Sequence, residues 1–333
     1  MTARRLTRRK ALAAGLATGA AALTLPLAPR RARAQSAATL QLSWLHSVQF
    51  AGSYIAQERG FWAEEGLEVA LTPGGPNAPV EPPVISGQAL VGISAADYTA
   101  AAVEQGAPFR ILAVAMQKNP FVIASLPANP VREPADLVGK RLGMALANRP
   151  VLEALCTLNG VDIDGIEMVP TQYSAAPLLS GEVDCLLCWE TDLPVAMAMQ
   201  GVESLTMLMA DHGYSVHSQT YIATEDSLAN RREELVGLLR GEVRGWEAYR
   251  ADTDAAAALT VETFPDLGLD LATQRLQAER QVPLMFSDLT DAQGFGWWTD
   301  ETVAANIETL ALLGRDVSPD LWDRSILEEV HAG

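Results

Sequence analysis

The sequence predicts an α/β chain of two lobes flanking a cleft, followed by a helical tail. Three observations carry that prediction. Short apolar runs alternate with helical stretches from Thr39 to about Met116. A second set of the same kind runs from Pro134 to Met209, and after one more strand at Gln219–Ala223 the pattern turns helical to the end. The chain has 333 residues, 49% hydrophobic and 20% charged, enough to build more than one core within the globular range.

The elements follow in order. Thr39-Leu40-Gln41-Leu42-Ser43 alternates polar and apolar, as a strand does. Gly52 to Arg59 reads as a helix stopped by Gly60. Strands follow at Leu67–Leu71, Leu90–Ser94 and Phe109–Met116, with a helix from Ala96 to about Gln105. This rhythm predicts a mostly parallel sheet. The second set has strands at Arg141–Leu146, Ile166–Val169, Val183–Cys188 and Ser204–Met209, with helical stretches between them. The tail is expected to break near Pro265, Pro283 and Pro319. Ligands of open α/β sheets sit beyond the carboxyl ends of strands, so binding residues should lie just after strands.

Net charge is −17, yet the first 34 residues hold eight basic residues and no acidic one. The rest carries 16 basic against 41 acidic residues, a charge of −25 that repels nucleic acid and anionic lipid. Thr7-Arg8-Arg9-Lys10-Ala11-Leu12 reads as a twin-arginine export signal, with a mild apolar stretch from Ala11 to Leu27. Ala32-Arg33-Ala34 supplies small residues for cleavage after Ala34. Residues 1–34 are thus expected to be a signal peptide, and the remainder a periplasmic protein exported through the twin-arginine translocase.

Several segments resemble a known family. Trp44-Leu45-His46-Ser47-Val48-Gln49-Phe50-Ala51-Gly52-Ser53-Tyr54, Arg59-Gly60-Phe61-Trp62, Gly74-Gly75-Pro76-Asn77 and Gly92-Ile93-Ser94-Ala95-Ala96-Asp97 fall in its order and spacing. Leu137-Val138-Gly139-Lys140, Gly181-Glu182-Val183-Asp184 and Tyr221-Ile222-Ala223-Thr224 continue the series. The chain resembles the solute-binding proteins of ABC importers that take thiamine-pyrimidine precursors and, more distantly, alkanesulfonates, taurine and nitrate. The resemblance implies a two-lobed periplasmic binding protein fold with an interlobe cleft, lobe I at 38–128 plus 215–333 and lobe II at 129–214. It implies a monomer that takes up a small molecule without a cofactor, and hands it to a membrane permease with its ATPase. The pyrimidine branch has a His where Phe50 stands here, and the loop in this form is similar to relatives that bind riboflavin or other flat heterocycles.

Candidate ligand contacts follow from position. Trp44 stands just past the first strand and could stack on a ring or pack at the rim. His46 could donate to a carbonyl, and Phe50 could form a wall or core. Asp97 stands at a helix start, where it could cap free amides, with Tyr98 beside it. In the second lobe Trp189-Glu190 follows a strand; the indole could close over a ring and the carboxylate accept from its N–H groups. Gln117 and Asn148 also follow strands. An anion would call for Arg or Lys, and none lies between Trp44 and Tyr54.

Other chemistries find less support. Cys185 and Cys188 lie on a strand, where positions three apart face opposite ways, and only Cys156 accompanies them. Met197, Met199, Met207 and Met209 read as core filler. His212 and His217 make a weak metal pair at best. The related pyridoxal-phosphate-dependent pyrimidine synthases need a cleft lysine; His46 falls where that lysine would align, and beyond residue 34 only Lys118 and Lys140 remain. Binding without catalysis is the expectation, with a synthase-like enzyme as the alternative of another class.

Overall fold

The computed structural model describes residues 35–332; the export signal expected at residues 1–34 lies outside them. Among the described residues, ten strands form two five-stranded sheets. The first sheet takes β1 (Ser36–Gln41), β2 (Leu67–Thr72), β3 (Val91–Ala95), β4 (Phe109–Met116) and β10 (Ser218–Thr224) in the order β2-β1-β3-β10-β4. The second takes β5 (Phe121–Ser125), β6 (Arg141–Met144), β7 (Glu167–Pro170), β8 (Cys185–Trp189) and β9 (Leu205–Leu208) in the order β7-β6-β8-β5-β9. Among the described residues no helix is long and apolar enough to cross a membrane.

Neither sheet is mostly parallel, which corrects the sequence reading. β1 pairs parallel with β2 and β3, and β6 with β7 and β8, but β10 is antiparallel to both neighbours and so is β5. These two are the strands that enter each sheet from the other, so they arrive running the opposite way. Phe121–Ser125 carries a second correction. A boundary at 128 would leave it with the first sheet, yet it hydrogen-bonds along β8 and β9. The chain therefore passes between sheets at 117–120, and returns at 213–217. Asn119 Nδ2 ties the crossings together by donating to Val216 O at 2.8 Å.

The tail folds as helices with local start signals. Thr224, Asp252, Asp270 and Thr299 each accept a backbone N–H three residues on, opening the helices at Glu225, Thr253, Leu271 and Asp300. The break expected near Pro283 comes just after it: Leu271–Met285 runs through Pro283 and ends at Phe286. Pro283 is exposed in the last turn, and its missing N–H leaves the Glu279 carbonyl without its helical donor. The helix Arg232–Ala251 crosses Ala51–Glu58 over the first sheet at close range, because Gly52 and Gly245 let the backbones approach.

Under that crossing lies Glu242, 1% exposed. Its Oε2 accepts from Ser53 Oγ at 3.0 Å, Tyr221 OH at 2.6 Å and Trp246 Nε1 at 3.0 Å, while Oε1 has no partner. Burial pushes the carboxyl up to about 7 against the pull of the three donors. A raised folded-state pKa gives stability that is present below about 4.5 and is lost as pH rises through about 7. Glu242→Gln removes this titration, so its stability relative to the parent should climb by about 3 kcal/mol between pH 4.5 and 7.5. His217, held down to about 4 by burial, titrates the opposite way. It is common to both proteins and cancels in the comparison. Urea melts of both at each pH measure the difference; a flat difference would mean that Glu242 is not buried as the charged form.

Candidate binding site

The loop after β1 is held by the loop after β2. Gly74 N donates to Trp44 O at 2.9 Å, and a Cβ on Gly74 would come within 2.4 Å of Leu42 O. Through this close backbone approach Gly74-Gly75-Pro76-Asn77 props the segment 44–49 at the carboxyl end of β1. That segment lines a cavity of about 160 Å³. Opposite it stand Thr191 and Asp192, just past β8 of the second sheet, and Gln274, Gln277 and Gln281 from the tail helix Leu271–Met285. The cavity thus lies between residues of both sheets, at strand carboxyl ends. A larger space of about 460 Å³ lies along Ala37–Thr39, 68–70 and Gly87-Gln88, with no aromatic and no second-sheet residue in its wall. The smaller cavity is the better site on chemical grounds.

The sequence-predicted residues divide between wall, support and core. Trp44 is 45% exposed at the cavity, with free ring surface. His46 also lines it, stacked on Phe264 with ring centroids 4.0 Å apart and its Nδ1 3.1 Å from Tyr54 OH. Burial lowers its pKa, so the imidazole is neutral at pH 7. Phe50 is wholly buried, which corrects its reading as a wall: the helix start that follows turns it inward, into the core. Asp97 does not take the cap position; it sits in the first turn of Ala96–Glu104, half-buried, its carboxyl pushed up by burial. Tyr98 beside it is 67% exposed.

In the second half, Trp189 is partly buried and meets Phe121 edge-on, ring centroids 6.2 Å apart. Glu190 is engaged: Arg280 of the tail helix donates to its Oε1 at 2.8 Å. Gln117 donates to Val114 O at 3.0 Å and Trp297 O at 3.1 Å, an internal brace. Asn148 precedes the helix Arg149–Asn159 without capping it. Of the predicted set, Trp44 and His46 line the cavity; Glu190 ties the second sheet to the tail helix through Arg280, and Gln117 braces the first lobe internally.

Sequence reasoning missed Asp192 and Tyr173. The Tyr173 hydroxyl donates to Asp192, whose carboxyl is pushed up by burial and pulled down by that bond. It also missed the three glutamines. A signal existed: 274, 277 and 281 recur at helical spacing, and Gln274 and Gln281 are buried polar positions on that face. Cys156, Cys185 and Cys188 are free and buried, and no cluster of metal-ligating groups occurs among the described residues. His217 accepts from Trp322 Nε1 at 3.1 Å.

Comparison with known proteins places this geometry. A family described as NMT1/THI5 like matches residues 47–256. The riboflavin-binding protein RibY of Chloroflexus aurantiacus is 26% identical over 84% of this chain and 82% of its own length. The 4-amino-5-hydroxymethyl-2-methylpyrimidine phosphate synthase of Legionella pneumophila is 25% identical over 46% of each chain. Among solved structures, the periplasmic aliphatic sulphonate binding protein SsuA of Escherichia coli superposes with a TM-score of 0.65 at 15% identity, over 84% of this chain and 86% of that one. At that identity the likeness is one of fold: two lobes, a cleft and a helical tail.

Proposed function

Since the chain belongs to the NMT1/THI5-like family, we propose that it is an exported binding protein that takes up a single-ring nitrogen heterocycle between its lobes and delivers it to a membrane permease. The lobes meet at 117–120 and 213–217, and the ligand joins them by touching both. The carrying observation is the cavity at Trp44: about 160 Å³, walled by an indole, the His46 imidazole, carboxamides and the Asp192 carboxyl, with no Arg or Lys in its lining. A space of about 150 Å³ holds one benzene-sized ring. An aminopyrimidine of the thiamine-precursor type fits that size, stacks on Trp44 and finds polar partners at its edge. A sulfonate or nitrate finds no guanidinium or ammonium there.

The long alignment with a riboflavin-binding protein favours a second reading, a flavin. Its three fused rings exceed the cavity, so the lobes would have to part to admit it. The synthase reading lacks its lysine: Lys118 is paired with Asp211, Lys140 bonds Asn129, and neither lines the cavity. The twin-arginine signal at residues 1–34 supports the periplasm as the place of action.

Calorimetry with 4-aminopyrimidines, riboflavin and an alkanesulfonate separates these readings. Aminopyrimidine binding, with recovery of the ligand intact, is the expected result. Riboflavin binding alone would establish the second reading, and sulfonate binding alone would overturn both.

A further inference from the structure

One chain of hydrogen bonds crosses the cavity wall. Val48 N–H donates to Gln274 Oε1 at 2.7 Å, Gln274 Nε2 to Gln277 Oε1 at 2.7 Å, and Gln277 Nε2 to Thr191 O at 3.0 Å. Its two ends are backbone groups whose chemistry cannot change: a donor at Val48 and an acceptor at Thr191. A carboxamide has one donor side and one acceptor side, so the ends dictate both side chains. Gln274 has to turn its oxygen to Val48, and its nitrogen then faces Gln277. Gln277 in turn receives on oxygen and presents N–H to the second lobe. Flipping either one sets donor against donor at Val48, or acceptor against acceptor at Thr191.

We propose that this relay sets which ring edge the protein accepts: an acceptor facing Gln277 Nε2 with a donor beside it facing Thr191 O. The proposal rests on the heterocycle reading above and narrows it. An occupant that bridges the lobes replaces the Gln277–Thr191 bond, the link of the relay that joins them. It inherits one N–H and one C=O and has to pair both, because a buried group left unpaired loses its whole hydrogen bond. A ring nitrogen beside an exocyclic amine meets this pattern, as does a lactam C=O beside its N–H. Sulfonates, nitrates and carboxylates carry acceptors only and leave Thr191 O bare. Gln277 acts as a specificity-determining contact, and Gln274 as the positioning residue that fixes its orientation.

The test is a set of calorimetric cycles on the full mature chain. The probes are 4-aminopyrimidine, 4-dimethylaminopyrimidine, which lacks the donor, and 3-aminopyridine, whose amine has no ring nitrogen beside it. The parent should lose about 10- to 100-fold in affinity with each altered probe. Gln277→Met should bind 4-aminopyrimidine more weakly by a similar factor and no longer distinguish it from 3-aminopyridine, while still rejecting the dimethyl probe. In Gln274→Glu the second oxygen can only accept, so Gln277 turns its N–H inward and offers Oε1 to the ligand. That protein should bind 2-aminopyridine, added as a fourth probe, more tightly as pH falls through the ring's own pKa, since its protonated nitrogen adjoins the amine and gives two donors side by side. Melting curves confirm that both variants fold. If the parent binds none of the heterocycles, the heterocycle reading fails and this proposal with it. If the parent binds but the Gln277 cycle is additive and Gln274→Glu keeps the parent's pH profile, the proposal alone is overturned.

Discussion

Gly245→Ala should destabilise the protein by about 3 kcal/mol, seen as a large drop in the urea midpoint with little change in slope. The new Cβ would stand 2.0 Å from Gly52 O and 2.9 Å from the Gly52 carbonyl carbon. Both are backbone atoms of the facing helix and cannot rotate away. The helices Ala51–Glu58 and Arg232–Ala251 would have to separate, and with them the packing of Trp246 and its bond to Glu242. Alanine's better helix propensity returns only about 1 kcal/mol, so the clash decides the sign. Gly237→Ala on the same helix is the control: the nearest atoms to its Cβ would be side-chain atoms of Glu65 and Leu67, at 3.1 and 3.2 Å. Equal melts for Gly245→Ala and the parent would show that the helices do not cross at this distance.

Trp44→Ala should leave folding nearly unchanged and weaken ligand binding by roughly 30- to 1,000-fold, about 2–4 kcal/mol for an aromatic anchor in a site that closes. Its indole is exposed without ligand, so truncation opens no core cavity. The segment that carries it is held through its backbone, by Gly74 N to Trp44 O, and keeps its course without the side chain. Trp189→Ala should behave in the reverse way. That ring packs against Phe121, so its loss should show in the melting curve first and in affinity second. Calorimetry and melting on both variants measure the contrast. Unaltered affinity in Trp44→Ala would remove stacking from the binding account.

Most strands are legible because each carries its own apolar run: the run Phe109–Met116 predicts β4 with the bounds it has in the fold. The run Phe121–Ser125, set off by the turn at Asn119-Pro120, carries nothing local that says which sheet it joins. Its direction and its sheet depend on partners far along the chain, at β8 and β9. The site shows the same division. Trp44 and His46 can be placed by the rule that ligands gather past strand ends. Glu190 can be placed too, but Arg280, 90 residues on, occupies its carboxylate.

The α/β rhythm, the position of the Trp44 loop, its lack of basic residues and the capped helices of the tail are all written in the local sequence. Each depends on neighbours within a turn or a strand. The antiparallel course of β5 and β10, the burial of Phe50 and the glutamine wall of the cavity emerge only when the chain is folded. Those outcomes depend on which distant surfaces meet. A hydrogen bond such as Gln277 to Thr191, spanning 86 residues of chain, is set by the packing of two lobes and leaves no local periodicity to read.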